Sequence, residues 1–272
     1  MPELAEVETL KLYLYKSIIG EKIVLYKKFR NNLRYKLDEN LANITGSTIL
    51  DIKRRAKYIN IFLSNKNILT YHLGMSGRIT LQPDFYQKQK HDHVILYFES
   101  GKQLVFNDAR RFGMVYICNE QEQYQQKYFA KMGMEPLTDE FNKNYLKEKI
   151  CNKNSAIKLA LMANEIVVGV GNIYSAESLF MAKINPFRAA NTLTNEEIEL
   201  LVNCVKQVLL KAIESGGTTL RDFVSGDSKP GYFAQKLNVY GRHNMPCIVC
   251  SEPVQKIKQA GRSTFFCDVC QK

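Results

Sequence analysis

Apolar and polar residues follow a strand-like pattern in the first half of the chain, from about residue 21 to residue 119. Short runs rich in β-branched and aromatic residues are separated by turn-forming residues, which is typical of antiparallel strands. The runs are Ile23 to Phe29, Thr48 to Leu63, Ile68 to Leu81, His93 to Phe98, Gln103 to Phe106 and Gly113 to Cys118. Ser100-Gly101 predicts a hairpin turn between the fourth and fifth runs. We therefore expect an antiparallel β-sandwich, preceded by one helix over residues 3–18.

The pattern changes after about Tyr124, where apolar residues recur at helical spacing. Thr194-Asn195-Glu196-Glu197 has the spacing of a capping box. The apolar positions of the helix that follows are Ile198, Leu201, Val202, Val205, Leu209 and Ala212. Gly216-Gly217 is expected to end it. Two further predicted helices, Ser155 to Ala163 and Ile173 to Ala182, indicate a helix-turn-helix element. The chain as a whole is predicted to be an α+β protein.

Composition and charge narrow the choice of partner. The 272 residues are 45% hydrophobic, enough for a sizeable core and, by length, for two domains. Lys and Arg total 38 against 27 Asp and Glu, and the net charge of +11 favours a polyanion such as nucleic acid. An anionic membrane surface attracts the same charge, but no stretch reaches the ~18 apolar residues of a spanning helix, and the N-terminus lacks a basic signal region. We expect a cytoplasmic protein.

The C-terminal tail carries a metal-binding pattern. Cys247-x-x-Cys250 and Cys267-x-x-Cys270 are separated by 16 residues, the spacing of two knuckles that arrange four thiolates around zinc. The total of seven cysteines is odd and fits a reducing compartment better than a disulfide framework. A complete four-cysteine shell leaves no open coordination position, so we expect one structural Zn²⁺ that supports a β-hairpin and contributes on the order of 10 kcal/mol to folding. Three basic residues between the knuckles either contact phosphates or form a solvated face: Lys256, Lys258 and Arg262.

The N-terminus carries candidate covalent chemistry. Pro2 is small enough for Met1 to be removed, and a prolyl N-terminus is a secondary amine. Because α-amino groups titrate near about 7.7–8, part of this amine is neutral and nucleophilic at cellular pH. It can attack an electrophilic carbon and form an iminium ion, while Glu3 beside it can protonate a leaving group. The alternative is an ordinary helix start, with proline in the first turn and acidic residues favoured by the helix dipole.

Two further groups of residues point to nucleic acid. Gly169-Val170-Gly171-Asn172 lacks the third glycine and the preceding strand of a dinucleotide-binding loop, so we expect no nucleotide cofactor. Its glycines either let backbone amides and Asn172 approach a phosphate or only form a turn and cap. Met75, Arg110 and Phe112 lie near turns between predicted strands, where they either insert into a base stack at a displaced nucleotide or pack in the core.

Eight motifs, in order along the whole chain, resemble those of bacterial formamidopyrimidine-DNA glycosylases. They are Met1-Pro2-Glu3-Leu4-x-Glu6-Val7-Glu8, Arg55-Ala56-Lys57-Tyr58, His72-Leu73-Gly74-Met75-Ser76-Gly77-Arg78, His91-Asp92-His93-Val94, Arg110-Arg111-Phe112-Gly113, Val168-Gly169-Val170-Gly171-Asn172-Ile173-Tyr174, Val239-Tyr240-Gly241-Arg242 and the four-cysteine tail. The resemblance implies a catalytic β-sandwich domain over 1–130, a helix-two-turn-helix domain over 131–236 and a zinc finger over 237–272. It further implies a monomeric base-excision repair enzyme that acts on double-stranded DNA.

The resemblance also assigns roles to individual residues. Pro2 is the implied nucleophile that forms a Schiff base with the sugar, and Glu3 is the acid that assists ring opening and base release. Lys57 is implied in the acid-base steps of strand cleavage, although it could be one more cation of the basic run before it. Arg262 is implied in gripping phosphates and in the second elimination. We favour the grip, because an arginine is always protonated and makes a poor acid.

Further implied positions concern DNA binding. The DNA-contacting residues are His91, Arg110, Lys153 and Asn172. Met75, Arg110 and Phe112 match the residues that fill the gap left by the flipped base. The stretch Gly217-Thr218-Thr219-Leu220-Arg221-Asp222-Phe223 resembles the loop that closes over an oxidised purine. Ala5 and Ala109 stand where the family usually has proline, a departure that bears on loop stiffness more than on chemistry.

The substrate is the last expectation. Leu4, in place of glycine, resembles the branch that excises oxidised purines such as 8-oxoguanine and formamidopyrimidines. The implied activity is bifunctional, with base excision followed by β,δ-elimination that cleaves the strand. Two alternatives stay open: a pyrimidine-directed endonuclease of the same architecture, and a non-catalytic zinc-ribbon protein that binds DNA and whose N-terminal residues only cap a helix.

Overall fold

The computed structural model of the chain describes residues 2–125, 129–217 and 236–272. The chain forms two compact units. The first contains the described residues up to Ala130 and residues 215–217, and the second contains Lys131–Glu214 and residues 236–272. Within these described ranges, no helix combines the length and the apolar character that crossing a bilayer requires.

The first unit is an antiparallel β-sandwich. Its strands are β1 (Ile23–Lys28), β2 (Ile49–Arg55), β3 (Tyr58–Leu63), β4 (Asn67–His72), β5 (Arg78–Gln82), β6 (Asp92–Phe98), β7 (Gln103–Asn107) and β8 (Met114–Asn119). They form two four-stranded sheets, ordered β1-β6-β7-β5 and β2-β3-β4-β8, with antiparallel neighbours throughout. The predicted hairpin at Ser100-Gly101 joins β6 to β7, and the Gly101 N–H donates to the Phe98 carbonyl at 3.0 Å. The sandwich is therefore confirmed.

Two of the predicted runs each contain a turn and two strands. The run from Thr48 to Leu63 reverses at Ala56-Lys57, where Ala56 adopts a φ of 53°. The run from Ile68 to Leu81 reverses between β4 and β5, where Gly74 adopts a φ of 63°. The first turn follows the basic run Lys53-Arg54-Arg55, and the second contains Gly74 and Gly77. The apolar pattern resumes directly after each turn, so each pair of strands was predicted as one run. Both turns carry residues of the candidate site.

One helix, α1 (Leu4–Ile18), covers the core of this unit, as the sequence predicted for residues 3–18. Leu10, Leu14 and Ile18 recur at helical spacing and are buried against the sandwich. The helix packs against β2 and β3. Burying each of these side chains stabilises the fold by about 1.5–3 kcal/mol, so the position of the helix start is fixed by a large apolar contact.

The second unit is helical. Its helices are α2 (Lys143–Ile150), α3 (Ile157–Leu161), α4 (Asn172–Met181) and α5 (Asn195–Glu214). The capping box at α5 is present, because Thr194 N–H donates to the Glu197 carboxylate at 2.8 Å and Glu197 N–H donates to Thr194 Oγ1 at 3.3 Å. The α3 helix is shorter than the predicted Ser155 to Ala163. These helices and the sandwich confirm the α+β class.

A C-terminal hairpin, β9 (Gln255–Gln259) and β10 (Arg262–Phe266), completes the second unit. A buried carboxylate joins the chain before it to α4: Glu177 accepts hydrogen bonds from the backbone N–H groups of Asn238, Val239 and Tyr240 at 2.8–3.0 Å. Three charge-assisted bonds to one buried group fix where the hairpin region begins.

Candidate active site

The N-terminal turn places two acidic residues together. Glu3 is the N-cap of α1, and its backbone N–H donates to Oε2 of Glu6 at 2.8 Å. Pro2 is buried, and the two glutamates are only 3% and 2% exposed. The alternative of a capped helix start is thus observed, but burial of two carboxylates beside a proline exceeds what capping needs. The turn combines a cap with a set of groups able to act on a substrate.

Gly217, in the short second stretch of chain that belongs to the first unit, lies close to this turn. A Cβ built at Gly217 would lie 3.3 Å from both Cγ and Oε1 of Glu6. The φ of Gly217 is 83°, a backbone conformation that residues with a side chain rarely adopt. Glycine therefore lets the chain pass close to the Glu6 carboxylate. The remainder of the predicted lesion loop, from Thr218 to Phe223, lies outside the described residues.

Lys57 lies on the β2–β3 turn beside the same helix. Arg54, at the end of β2, donates from Nε to Oε2 of Glu8 at 2.6 Å and from Nη1 to the Ala56 carbonyl at 3.0 Å. Glu8 lies in the second turn of α1, so this ion pair holds the turn that carries Lys57 against the N-terminal part of the helix. Arg54 therefore has a structural role, because it anchors the turn to α1. This role distinguishes it from Lys57, the candidate for chemistry.

His72, at the end of β4, lies close to Lys57 and is held in one neutral form. Its Nδ1 accepts a hydrogen bond from Gly74 N–H at 3.0 Å, so the proton of the neutral ring is on Nε2. Burial, together with the nearby charges of Lys57 and Arg34, lowers the pKa of His72 to about 4. The Tyr58 ring lies 4.7 Å from the imidazole, centroid to centroid. A neutral N–H donor therefore stands beside the lysine at neutral pH.

The three candidate wedge residues, Met75, Arg110 and Phe112, line one pocket of about 660 Å³ that also includes His72. Phe112 is 43% exposed and Met75 is half-buried, which argues against the core-packing alternative. The Arg110 guanidinium carbon lies 5.1 Å from the centre of the Phe112 ring. A larger cavity in this unit, about 970 Å³, is lined by none of the predicted site residues.

His91 lies on the loop that leads into β6, with a φ of 73°. The next residue, Asp92, is buried and accepts hydrogen bonds from Tyr86 Oη at 2.8 Å, Gln89 N–H at 2.7 Å and Asn107 Nδ2 at 2.8 Å. One carboxylate thereby fixes the loop on both sides of His91.

In the second unit, Asn172 occupies the first position of α4. Its Oδ1 accepts a hydrogen bond from Lys158 Nζ at 2.7 Å, and its Nδ2 donates to the Ser263 carbonyl at 2.9 Å. Lys158 is 1% exposed and also donates to Thr264 Oγ1 at 2.7 Å. Asn172 and Lys158 therefore bind strand β10 to the helices. The turn-and-cap interpretation is observed here, and contact of Asn172 with phosphate stays a prediction.

Two other cationic candidates of this unit lie on its surface. Arg262 is exposed at the tip of the β9–β10 hairpin, opposite Gln259, next to the turn at Ala260-Gly261. Lys153 follows α2 and is half-buried, and its carbonyl accepts from Asn191 N–H at 3.1 Å. Both side chains belong to well-anchored backbone, which suits contacts to a rigid polyanion.

The four cysteines of the tail fit a tetrahedral metal site. Their Sγ atoms all lie within 4.8 Å of one another, with Cys247 to Cys270 at 3.9 Å and Cys250 to Cys267 at 3.4 Å. Zinc with Zn–S bonds of about 2.3 Å needs sulfur atoms about 3.8 Å apart. Burial and the three neighbouring thiols raise the pKa of Cys270, and a bound cation favours the thiolate form of such a cluster. The predicted structural zinc is confirmed by this donor set.

Sequence reasoning missed several residues that organise these sites. His72 stood inside a quoted motif without a role, and Asp108, Lys158 and Glu177 were not singled out. Their signal in the sequence is weak, because a charged residue in a strand or helix looks like a surface residue until its burial is known.

Three family profiles match consecutive parts of the chain. The formamidopyrimidine-DNA glycosylase N-terminal domain matches residues 1–115, and the formamidopyrimidine-DNA glycosylase H2TH domain matches residues 132–224. The zinc finger found in FPG and IleRS matches residues 246–272. Together they cover most of the chain.

Full-length relatives and solved structures agree with the profiles. The chain is 51% identical to formamidopyrimidine-DNA glycosylase of Rickettsia bellii over 273 residues, which is 100% of both chains. It is 36% identical, with a TM-score of 0.92 and 99% coverage of both chains, to Lactococcus lactis Fpg in complex with DNA containing an abasic site. It is 34% identical to the MutM (FPG) protein of Thermus thermophilus, with a TM-score of 0.90 over 99% of this chain and 98% of that one. The chain belongs to the formamidopyrimidine-DNA glycosylase family.

Proposed function

We propose that this protein is a bifunctional DNA glycosylase and AP lyase that removes oxidised purines, such as 8-oxoguanine and formamidopyrimidines, from double-stranded DNA. The observation that carries the proposal is the buried turn in which Pro2 and Glu3 lie beside Glu6. Membership in the family and likeness to an Fpg bound to abasic-site DNA support the reaction class.

The chemistry starts from the Pro2 amine, after Met1 has been removed. Its lone pair forms a bond to C1′ of the damaged nucleoside while the glycosidic bond breaks and the base leaves with a proton. Glu3 protonates the ring oxygen, so that the sugar opens and an iminium ion forms between Pro2 and C1′. Loss of a C2′ proton then expels the 3′ phosphate, a second elimination expels the 5′ phosphate, and hydrolysis of the iminium frees the amine.

The remaining candidate residues serve binding and positioning. Lys57 and His72 offer an ammonium and a neutral Nε2–H beside each other, a pair suited to phosphate and to proton transfer in strand cleavage. Met75, Arg110 and Phe112 fill the space vacated by the extruded nucleotide, whose unstacking costs a few kcal/mol. His91, Lys153, Asn172 and Arg262 contact the backbone of the DNA.

The wider setting follows from this reaction. We infer a monomer, since one lesion requires one nucleophile, and we infer a cytoplasmic protein associated with DNA. We further propose that domains of residues 1–130, 131–236 and 237–272 divide the work into catalysis, DNA binding with lesion recognition, and backbone contact by the zinc hairpin.

Borohydride trapping tests the nucleophile. The protein is incubated with a duplex containing 8-oxoguanine, reduced, and the adduct is located by mass spectrometry; we expect it on Pro2 of a chain that lacks Met1. Pro2→Gly replaces the secondary amine by a primary one and should trap at least tenfold more slowly, because the attacking nucleophile is altered. Glu3→Gln should lose base excision, because it removes the acid that acts in the transition state. Lys16→Gln, at an exposed position near the end of the same helix, is the control and should trap normally.

An adduct at a lysine, or full activity in a chain that retains Met1, would refute the proposed nucleophile. Excision of oxidised pyrimidines in preference to 8-oxoguanine on matched duplexes would instead replace the proposed substrate and leave the chemistry in place.

A further inference from the structure

We propose that Asp108 is a positioning residue for base displacement: its buried carboxylate fastens the loop that carries Arg110 and Phe112 to the turn that carries Met75, so that the three side chains meet DNA as one preformed wedge. This inference rests on the wedge role proposed above for those three residues. Asp108 is itself buried and acts through the backbone of its neighbours.

The carboxylate of Asp108 links the two segments directly. It is fully buried, and its Oδ1 accepts hydrogen bonds from Ser76 Oγ at 2.6 Å and from Arg110 N–H at 3.3 Å. Its Oδ2 accepts from Gly113 N–H at 2.7 Å. Ser76 Oγ also accepts from Arg110 N–H, at 3.1 Å. The residue after Met75 and the two residues that flank the Arg111-Phe112 pair are therefore bound to one anionic group.

The two segments also approach each other too closely for side chains at their contact. A Cβ at Gly74 would lie 2.4 Å from the carbonyl carbon of Phe112, so the two segments touch there; one at Gly113 would lie 2.6 Å from Cζ of Phe106, so that residue packs against β7. Arg111, between Arg110 and Phe112, adopts a φ of 60°, a conformation that a non-glycine residue takes only where its surroundings enforce it. The hydrogen bonds of Asp108 supply that enforcement.

Asp108 is in turn anchored to the sheet. Its carbonyl lies 2.8 Å from Nε2 of His93 on β6, and its N–H donates to the His91 carbonyl at 3.0 Å. The guanidinium of Arg110 lies over the Phe112 ring. The Asp108 carboxylate instead accepts a hydrogen bond from the backbone N–H of Arg110. This arrangement fixes geometry while leaving the charge of Arg110 available for DNA.

The consequence concerns only the step that displaces a base. A preformed wedge enters the stack without first being ordered, whereas a loosened loop must be ordered during binding, which raises the barrier to extrusion. An abasic site in single-stranded DNA has no base to extrude and no stack to enter, so its cleavage does not require the wedge. The rate of base excision from a duplex, divided by the rate of cleavage at an abasic site in a single strand, therefore reports on the wedge. A loss shared by both reactions leaves this ratio unchanged.

Asp108→Asn tests this inference, because it keeps the size of the side chain but replaces one acceptor oxygen by an NH₂ donor that faces an N–H group. We measure single-turnover excision of 8-oxoguanine from a duplex and strand cleavage at an abasic site in a single strand. The ratio should fall about tenfold, which corresponds to losing roughly one charge-assisted hydrogen bond. Amide exchange at Arg110 and Gly113 in the free protein should accelerate.

Two further variants keep the test decisive. Ser76→Ala removes the hydroxyl that donates to Asp108 and accepts from Arg110 N–H, and should lower the same ratio about threefold, even where Asp108→Asn fails to fold. Glu177→Gln is the matched control: Glu177 is 1% exposed and accepts three backbone hydrogen bonds, but it lies in the second unit and fastens the chain before the zinc hairpin. It should lower both rates alike and leave their ratio unchanged.

Phe112→Ala separates this inference from the function on which it rests. If Phe112→Ala lowers the ratio and Asp108→Asn and Ser76→Ala do not, Asp108 has no positioning role although the wedge is real. An equal fall for Glu177→Gln also overturns the inference, since loosening any buried carboxylate would then suffice. If none of the variants changes the ratio, the wedge role itself is wrong, and if the wild type cleaves neither DNA, the proposed function fails.

Discussion

The zinc hairpin and the N-terminal turn are two small regions that carry candidate site residues and are held in place by different means. The hairpin and its surroundings bury only a small apolar cluster that includes Val254 and Phe265, and four thiolates around a metal complete it. The N-terminal turn is the end of a helix whose Leu10 and Leu14 belong to the continuous core of the sandwich. One region depends on an ion for its shape, and the other depends on packing plus a few buried polar bonds.

This difference separates the residue proposed to bind DNA from the residues proposed to carry out the covalent chemistry. Arg262 is on the region whose shape depends on the metal, whereas Pro2, Glu3 and Lys57 are on the region whose shape depends on the core. Loss of the metal should therefore remove the proposed contacts to the DNA backbone without disturbing the groups proposed for the covalent chemistry. The predictions below test that separation, in order of decreasing expected effect.

Zinc removal should have the largest effect. Chelation should unfold β9–β10 and weaken DNA binding by about 100-fold, comparable to losing two or three phosphate contacts, while the sandwich keeps its unfolding transition. Fluorescence anisotropy with labelled duplex and calorimetry measure the two quantities. Cys151→Ser, at an exposed cysteine outside the cluster, is the control and should bind one zinc and DNA normally. Retained amide protection in β10 after chelation would contradict the comparison.

His72 should give the first unit a dependence of stability on pH. Its pKa is lowered by burial from 6.5 to about 4, so between these values the unfolded state binds more protons and the free energy of unfolding falls as pH falls. At pH 4.5 this costs about 2 kcal/mol. Urea unfolding of wild type and His72→Gln at pH 7 and pH 4.5 measures it. The variant should lose about 2 kcal/mol less on acidification, and identical losses would show that the ring is not held neutral.

The Arg54–Glu8 pair should have the smallest effect. Burial raises the pKa of Glu8, but Lys11 and Arg54 outweigh it and leave that pKa below its ordinary value of 4.5. The pair therefore stabilises the fold above pH 4.5, and the contribution is lost as pH falls through the lowered pKa. Glu8→Gln should cost about 1 kcal/mol at pH 7 and less at pH 3.

A matched exposed pair provides the control for Glu8. Glu99 is 66% exposed and lies 3.2 Å from Lys22, so Glu99→Gln should change the free energy of unfolding by no more than a few tenths of a kcal/mol, as measured in the same urea titrations. Equal costs for the two variants would mean that Arg54 does not anchor the turn of Lys57.

Much of the fold followed from local patterns. Runs of β-branched and aromatic residues predicted the strands of the sandwich, because such residues pack well on a pleated, half-buried surface. Thr194 with Glu197 predicted the start of α5, because their side chains satisfy free N–H groups of the first turn. The cysteine spacing predicted the metal cluster, since two knuckles of fixed length leave little freedom in where their sulfur atoms point. The turns at Ala56 and Gly74 were not predicted, because a strand-like run resumes directly after each of them.

The sequence alone determined the family of this protein, the α+β class, the zinc ligands and the identity of the candidate nucleophile, because each depends on residue types and short spacings. Only the tertiary structure decided that Phe112 is exposed beside Met75, that His72 stays neutral near Lys57, and that Asp108 binds two loops more than thirty residues apart. Burial, pKa and hydrogen bonding between distant segments depend on what surrounds a side chain in space, and those surroundings exist only once the chain has folded.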